Sequence, residues 1–281
     1  MVKAYFDNSR CWDCKPFEPA PPRYAEVLFI NTPKHIDLYQ YPKAKLVACA
    51  CTTQPQVKLP RGRPMAFLTL YGDPILEQIT STVDHTWCLI LALNNRLIKA
   101  NTDVLNGRWD RFSNGRPSML SDMRLGVVGY GRIGMQVLRI GTFFGMETQF
   151  INSTPDRAWL EDCDIVTLHT PPSIGPVLDR RNMDGITHGC LIINTAQGNA
   201  VCQWELIDAL DSGRCGGAAL DVLPGEFEPG FNAAEHPLVK YAQDHDNLLL
   251  TPHIGGSSRD AWGMTQRRIV EKAAQWCKEN L

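Results

Sequence analysis

Three glycines, Gly129, Gly131 and Gly134, stand in the stretch LGVVGYGRIG that runs from Leu125 to Gly134. An apolar strand pattern precedes them and an amphipathic helical pattern follows, the setting in which this spacing grips a dinucleotide. Gly129 permits the tight turn, Gly131 lets backbone approach a pyrophosphate, and Gly134 lets helix and strand pack closely. The helix start then turns N–H groups and a partial positive charge towards the phosphates. About 20 residues on, an acidic side chain ordinarily receives the ribose 2′-hydroxyl of NAD; here that place is Asn152. An asparagine still hydrogen-bonds a ribose but does not repel a 2′-phosphate, and Ser153, Thr154 and Arg157 are placed to receive one. The expected cofactor is therefore NAD or NADP, while a plain strand-end turn is the other reading of Ser153 and Thr154.

The elements around that turn follow from periodicity. A chain of 281 residues exceeds the size at which one core usually keeps growing, so two domains are expected. Short Val, Ile and Leu runs alternate with helical segments, which makes the fold class α/β with parallel strands covered on both faces. In the first lobe, residues 3–6, 26–30 and 45–50 read as strands and the proline-rich 15–23 as loop. A helix is expected from Ser81, where Ser81 and Asp84 have capping-box spacing; its apolar face includes Val83, Trp87, Ile90 and Leu91, and it would bridge the lobes. The second lobe reads as strands at 125–128, 148–151, 164–169, 190–194, 217–222 and 247–251, with helices at 133–144 and 204–210. The resulting division is a doubly wound Rossmann domain over 96–256 and a smaller, flavodoxin-like domain over 1–95, completed by 257–281.

Composition narrows the partners. With 44% hydrophobic and 21% charged residues and a formal net charge of -2, neither nucleic acid nor an anionic membrane is an expected partner. The longest apolar run, near 87–93, is far short of the roughly 20 residues a bilayer span needs, and the start MVKAYFDNSR has no signal-like stretch, so a cytoplasmic location is expected. The 10 cysteines are unevenly spaced and read as reduced thiols. Two close pairs, Cys11 with Cys14 and Cys49 with Cys51, would converge if the first and third predicted strands were neighbours. Zinc or a redox pair is the alternative there, but separate thiols and no metal are expected.

Taken in order, STVDHTW (81–87), NGRWDR (106–111), VGYGRIG, LHTPP (168–172), INTAQG (193–198), ALDV (219–222) and TPHIGG (251–256) resemble the D-isomer-specific 2-hydroxyacid dehydrogenases. The resemblance covers nearly the whole chain and implies hydride transfer between nicotinamide and a 2-hydroxy or 2-oxo acid. It assigns acid–base work on the substrate oxygen to His253, a role suited to imidazole because it titrates near neutral pH. Glu226, five residues after Asp221, would orient that ring, and Asp221 would contact the nicotinamide carboxamide. Besides the glycines and Asn152, it places Arg132, Ile133, Thr170, Pro171, Thr195, Ala196, His253 and Gly255 at the cofactor. It also implies a homodimer formed through the cofactor lobe and its helix, where the apolar face around Trp87 is either an interface or buried within one chain.

Two positions depart from the family pattern. An arginine expected to clamp the substrate's carboxylate is Gln197, whose neutral hydrogen bonds are roughly half as strong. A Thr–Gly loop whose N–H groups hold that carboxylate reads ACTTQPQ, with Thr53 kept, Gln54 in place of glycine and Pro55 removing a donor. Arg61 or Arg63 would be the nearest replacement charge. The expected function is an NAD(P)-dependent oxidoreductase; the alternative is a nucleotide-binding protein that lost turnover and serves as a sensor or scaffold.

Overall fold

The computed structural model describes residues 1–7, 12–31, 35–52, 54–113, 115 and 117–281. They form two compact units, Met1–Ile79 with Phe227–Gly230 and Gly256–Leu281, and Thr80–Glu226 with Phe231–Gly255.

The first unit contains β1 (Lys3–Phe6), β2 (Glu18–Pro19), β3 (Val27–Ile30), β4 (Ile36–Asp37), β5 (Leu46–Cys49), β6 (Val57–Lys58) and β7 (Ala66–Leu68). Five of these make a parallel sheet in the order β2-β1-β3-β5-β7, and β4 pairs with β6 apart from it. Leaving that small pair aside, the order is the 2-1-3-4-5 of flavodoxin-like sheets. The two-residue β2 falls inside the stretch read from sequence as loop. Its one proline, Pro19, is tolerated because β2 is an edge strand. The strand at 27–30 is therefore third in the sheet, not second, and lies between the strands that end near the two cysteine pairs. One face of the sheet is aromatic: Phe29 stacks on Phe6 at 4.7 Å and meets Phe17 at 5.0 Å and Trp12 at 5.5 Å.

The second unit opens with α1 (Ser81–Asn94) and α2 (Leu97–Leu105), then runs β8 (Arg124–Val128), α3 (Arg132–Phe143), β9 (Glu147–Ile151), α4 (Arg157–Glu161), β10 (Ile165–Leu168), β11 (Cys190–Asn194), α5 (Gln203–Asp211), β12 (Cys215–Leu220), α6 (Pro237–Asp244) and β13 (Leu248–Leu250). The last helix, α7 (Arg259–Asn280), belongs to the first unit, where Ile269, Ala273 and Cys277 complete the aromatic core. All six strands of the second unit are parallel, in the order β13-β12-β11-β10-β8-β9. The direction of winding reverses between β8 and β10, and ligands in such sheets bind at the carboxyl ends of the strands beside that point.

Helix α1 starts where its sequence places it, but its capping differs. The Thr80 hydroxyl donates to Asp84 Oδ2 at 3.1 Å, whereas Ser81 Oγ is buried with no partner among the described residues. Nor does α1 belong with residues 1–79. Val83, Trp87, Ile90 and Leu93 pack on Leu125, Val127, Ile165, Ile193 and Ala219, so the break falls after Ile79. Burial of this face against the sheet is what decides the boundary. Trp87 is thereby buried within the chain, its ring 5.0 Å from Phe144.

Phe29 is fully buried and touches three other rings. Phe29→Ala is expected to cost about 3–5 kcal/mol, read as a lower urea midpoint for the transition that unfolds the first unit. A loss under about 1 kcal/mol would mean that the aromatic cluster is not what stabilises this sheet.

Candidate active site

Strand β8 delivers Gly129 with a φ of 96°, a left-handed conformation that a side chain would strain. Its N–H donates to Ile151 O at 2.8 Å, and a Cβ there would stand 2.6 Å from His169 O. A Cβ on Gly134 would lie 2.0 Å from Gly129 O, so helix and turn close on each other directly. At Gly131, by contrast, a Cβ would meet nothing within 4 Å; the space on that side is open. Among the described residues no side chain caps α3, and its first turn holds no acid. Arg132 and Ile133 open the helix half-buried, with Ile133 packed against the core. A helix start with no side-chain cap beside an open face is what a pyrophosphate site requires.

Strand ends from β9, β10 and β11 border the turn. Asn152 Oδ1 accepts the Tyr130 N–H at 2.7 Å, and the Tyr130 ring stacks on Phe150 at 3.9 Å. Thr170 is buried, and its Oγ1 has no hydrogen-bond partner among the described residues. An unmet buried hydroxyl costs about 1–3 kcal/mol, which a ligand group would relieve. Thr195 Oγ1 is already engaged with Thr86 Oγ1 at 2.9 Å, and the Ala196 N–H donates to Asn194 Oδ1 at 3.0 Å. Asn194 Nδ2 donates to Gln197 O at 2.8 Å, while Gln197 Nε2 donates to Pro171 O at 3.2 Å. The uncapped turn, the open face at Gly131 and the Thr170 hydroxyl fit a dinucleotide. Beneath the turn His169 is neutral, its pKa pushed down to about 3 by burial.

His253 and Glu226 meet as the motif spacing implied: Nδ1 lies 3.0 Å from Oε1. The histidine backbone is at a φ of 53°, unusual for a residue with a side chain, and its N–H donates to Asp221 O at 2.8 Å and Thr251 O at 3.0 Å. Asp221 sets this turn. Its Oδ1 accepts from Thr251 Oγ1 at 2.6 Å and the Ile254 N–H at 2.9 Å, and its Oδ2 accepts from the Gly255 N–H at 2.8 Å. Thr251's one proton goes to Asp221, so at 3.0 Å the His85 ring donates to Thr251 Oγ1 from Nε2, which also lies 3.2 Å from Asp221 Oδ1. A Cβ on Gly255 would stand 2.9 Å from Oδ2; a glycine is what lets the carboxylate come this near. Both oxygens of the buried Asp221 thus accept hydrogen bonds from the 251–255 turn. Sequence reasoning named neither His85 nor Asn194. His85 lies within STVDHTW, and Asn194 within INTAQG, where motif membership was the available signal.

Several expected substrate contacts belong to the first unit. Thr53 lies outside the described residues; Gln54 is exposed there. Arg63 is no replacement anchor, because its guanidinium donates to the carbonyls of Leu38 at 3.0 Å, Tyr41 at 2.7 Å and Ala44 at 2.6 Å. Arg61 is exposed. Of the cysteine pairs, Cys11 lies outside the described residues, Cys14 Sγ donates to Trp12 O at 3.7 Å, and Cys49 and Cys51 Sγ are 3.0 Å apart. Among the described residues no group of three or more His, Cys, Asp or Glu is placed to hold a metal ion.

Fold and site together define a two-unit dinucleotide-binding protein with a histidine–carboxylate pair. Residues 87–255 match the family described as D-isomer specific 2-hydroxyacid dehydrogenase, NAD binding domain, and the chain belongs to that family. It is 30% identical over 234 residues to D-3-phosphoglycerate dehydrogenase of Haemophilus influenzae, covering 78% of this chain and 55% of that protein. Against the D-specific alpha-keto acid dehydrogenase of Enterococcus faecium it is 32% identical over 220 residues, 73% of this chain and 67% of the other. The chain thus spans about half the length of the first of these relatives. The TT0316 protein of Thermus thermophilus superposes with a TM-score of 0.73 at 29% identity, covering 89% of this chain and 82% of that one. D-lactate dehydrogenase of Aquifex aeolicus, complexed with NAD and lactic acid, shares the fold at a TM-score of 0.76 and 22% identity, over 92% of this chain and 85% of that one.

Asp221→Asn replaces one acceptor with a donor that faces N–H or O–H groups. It is expected to destabilise the second unit by about 1–3 kcal/mol, measured by urea denaturation. An unchanged midpoint would show that the carboxylate does not fasten the His253 turn.

Proposed function

We propose that this chain is a nicotinamide-dependent oxidoreductase that interconverts a small 2-oxo acid and its 2-hydroxy acid. The observation that carries the reading is the His253–Glu226 pair, 3.0 Å apart and fixed by Asp221 within the same unit as the glycine turn. The first-turn N–H groups of α3 would hold the pyrophosphate, Asn152 the ribose edge, and the Thr170 hydroxyl another polar group of the cofactor. When bound, the nicotinamide exchanges a hydride with the substrate carbon. His253 moves the proton. Glu226 holds Nδ1, so the proton exchanged with the substrate oxygen is carried on Nε2: donated as the alcohol forms, taken back as it is oxidised. Glu226 keeps the ring from turning, which preserves that geometry through the cycle.

Gln197 shapes the substrate preference. Its amide contributes neutral hydrogen bonds where an arginine would supply charge, so a substrate carboxylate is bound less tightly here. The chain also works as a homodimer, a reading supported by apolar surface in and after α2: Leu105 is 78% and Trp109 89% exposed, and Leu97 and Ile98 are exposed beside them. A cytoplasmic setting accords with the absence of disulfides among the described cysteines. No helix among the described residues is long and apolar enough to cross a membrane.

A panel of 2-oxo acids with NADH and NADPH, followed at the absorbance of the reduced nicotinamide, tests the activity. Turnover of at least one acid is expected, His253→Gln should abolish it, and Gln197→Arg should raise kcat/KM about ten- to a hundredfold. Dinucleotide binding without turnover of any acid would leave a binding protein instead. Sedimentation equilibrium is expected to give twice the chain mass, falling to a single chain mass in Trp109→Glu; a wild-type monomer at micromolar concentration would sink the dimer.

A further inference from the structure

A carboxylate at the end of the second strand of such a sheet has two equivalent oxygens. One can accept from the glycine turn while the other accepts from a ribose 2′-hydroxyl. Asn152 has a single oxygen, and the turn takes it: Oδ1 accepts the Tyr130 N–H at 2.7 Å. Only this orientation of the amide is possible, since Nδ2 carries donors and could not receive that proton. The exposed Asn152 therefore offers Nδ2 donors where an acid would offer an acceptor and a negative charge. The polarity of the ribose edge is inverted.

The chain beyond continues the same chemistry. Ser153 and Thr154 are exposed hydroxyls, and Pro155 follows, so the four residues after β9 carry no acid. Thr154 borders a surface cavity of about 460 Å³ that Arg157 and Arg181 also line. Arg157 Nη2 pairs with Asp184 at 2.7 Å and Arg181 Nη2 with Asp179 at 2.6 Å. Both guanidiniums are more than half exposed and each has five donors, so neither partner exhausts it. Asp156, the one acid in the cavity wall, accepts the Trp159 N–H at 2.9 Å.

We propose that this edge is built for a 2′-phosphate, with Asn152 Nδ2, the Ser153 and Thr154 hydroxyls and the arginines of the adjoining cavity as its donors, so that the protein prefers NADP(H) to NAD(H). The inference rests on the dinucleotide reading above and deepens it. An ionised phosphate accepts stronger hydrogen bonds than a ribose hydroxyl, and the one carboxylate of the strand-end loop, Asp156, already accepts the Trp159 N–H at the start of α4.

The test needs no turnover. The full chain is titrated with NADPH and with NADH, and binding is followed by quenching of intrinsic tryptophan fluorescence. NADPH is expected to bind about ten- to a hundredfold more tightly. Asn152→Asp should weaken NADPH at least tenfold while leaving NADH unchanged or tighter. Should that variant fail to fold, adenosine 2′,5′-bisphosphate against adenosine 5′-monophosphate on the unmodified chain gives the same comparison, with the 2′-phosphate compound expected to bind more tightly. Equal binding of the two dinucleotides, or tighter NADH, overturns the phosphate assignment alone. Failure of both to bind at millimolar concentration overturns it together with the oxidoreductase reading.

Discussion

The hydrogen bonds between the Asp221 carboxylate and the 251–255 turn are the constraint on which the rest of the site depends. The Ile254 and Gly255 N–H groups and the Thr251 hydroxyl converge on two oxygens of a buried acid, and the Asp221 carbonyl receives the His253 N–H. Such convergence stabilises an unfavourable backbone conformation at His253, because relaxing it would leave a buried charge without donors. Release of the turn would cost more than the strain it relieves. His85 closes the arrangement from α1, which ties the position of the His253 turn to a helix packed on the sheet.

The parallel sheet explains why these groups assemble at one edge. Every strand of the second unit runs the same way, so the residues after β8, β9, β10, β11, β12 and β13 all emerge at the carboxyl end. The glycine turn, Asn152, Thr170, Gln197, Asp221 and His253 are distant in sequence and are brought to one side by this geometry alone. Hydrogen bonds then link the emerging loops, Tyr130 to Asn152 and Gln197 to Pro171, and tie Thr195 to Thr86 of α1.

Two amides stand where the family pattern carries charge, Asn152 after β9 and Gln197 after β11. Each keeps hydrogen-bonding capacity and gives up electrostatic reach. At Asn152 the single oxygen is taken by the Tyr130 N–H, which leaves the side chain only Nδ2 donors to offer. At Gln197 the side-chain amide is already donated to Pro171 O, so the residue braces its own loop.

What the sequence determined by itself was local. The glycine spacing, the alternation of strands and helices and the ordered motifs are short-range patterns, and the turn at Gly129, the six strands of the second unit and the His253–Glu226 pair were legible from them. Tertiary structure decided the rest. Contacts such as His85 to Thr251, 166 residues apart, leave no periodic trace in either segment. The two-residue β2 is too short for an alternation signal and exists because β1 offers it a partner, which is why the strand order of the first unit was misnumbered. The unit boundary after Ile79 and the burial of Trp87 follow from which sheet α1 covers, a choice that an apolar face announces but cannot make. The hydrogen bonds of Asp221 to the 251–255 turn were not legible for the same reason: a carboxylate's partners are set by what the fold brings within 3 Å of it.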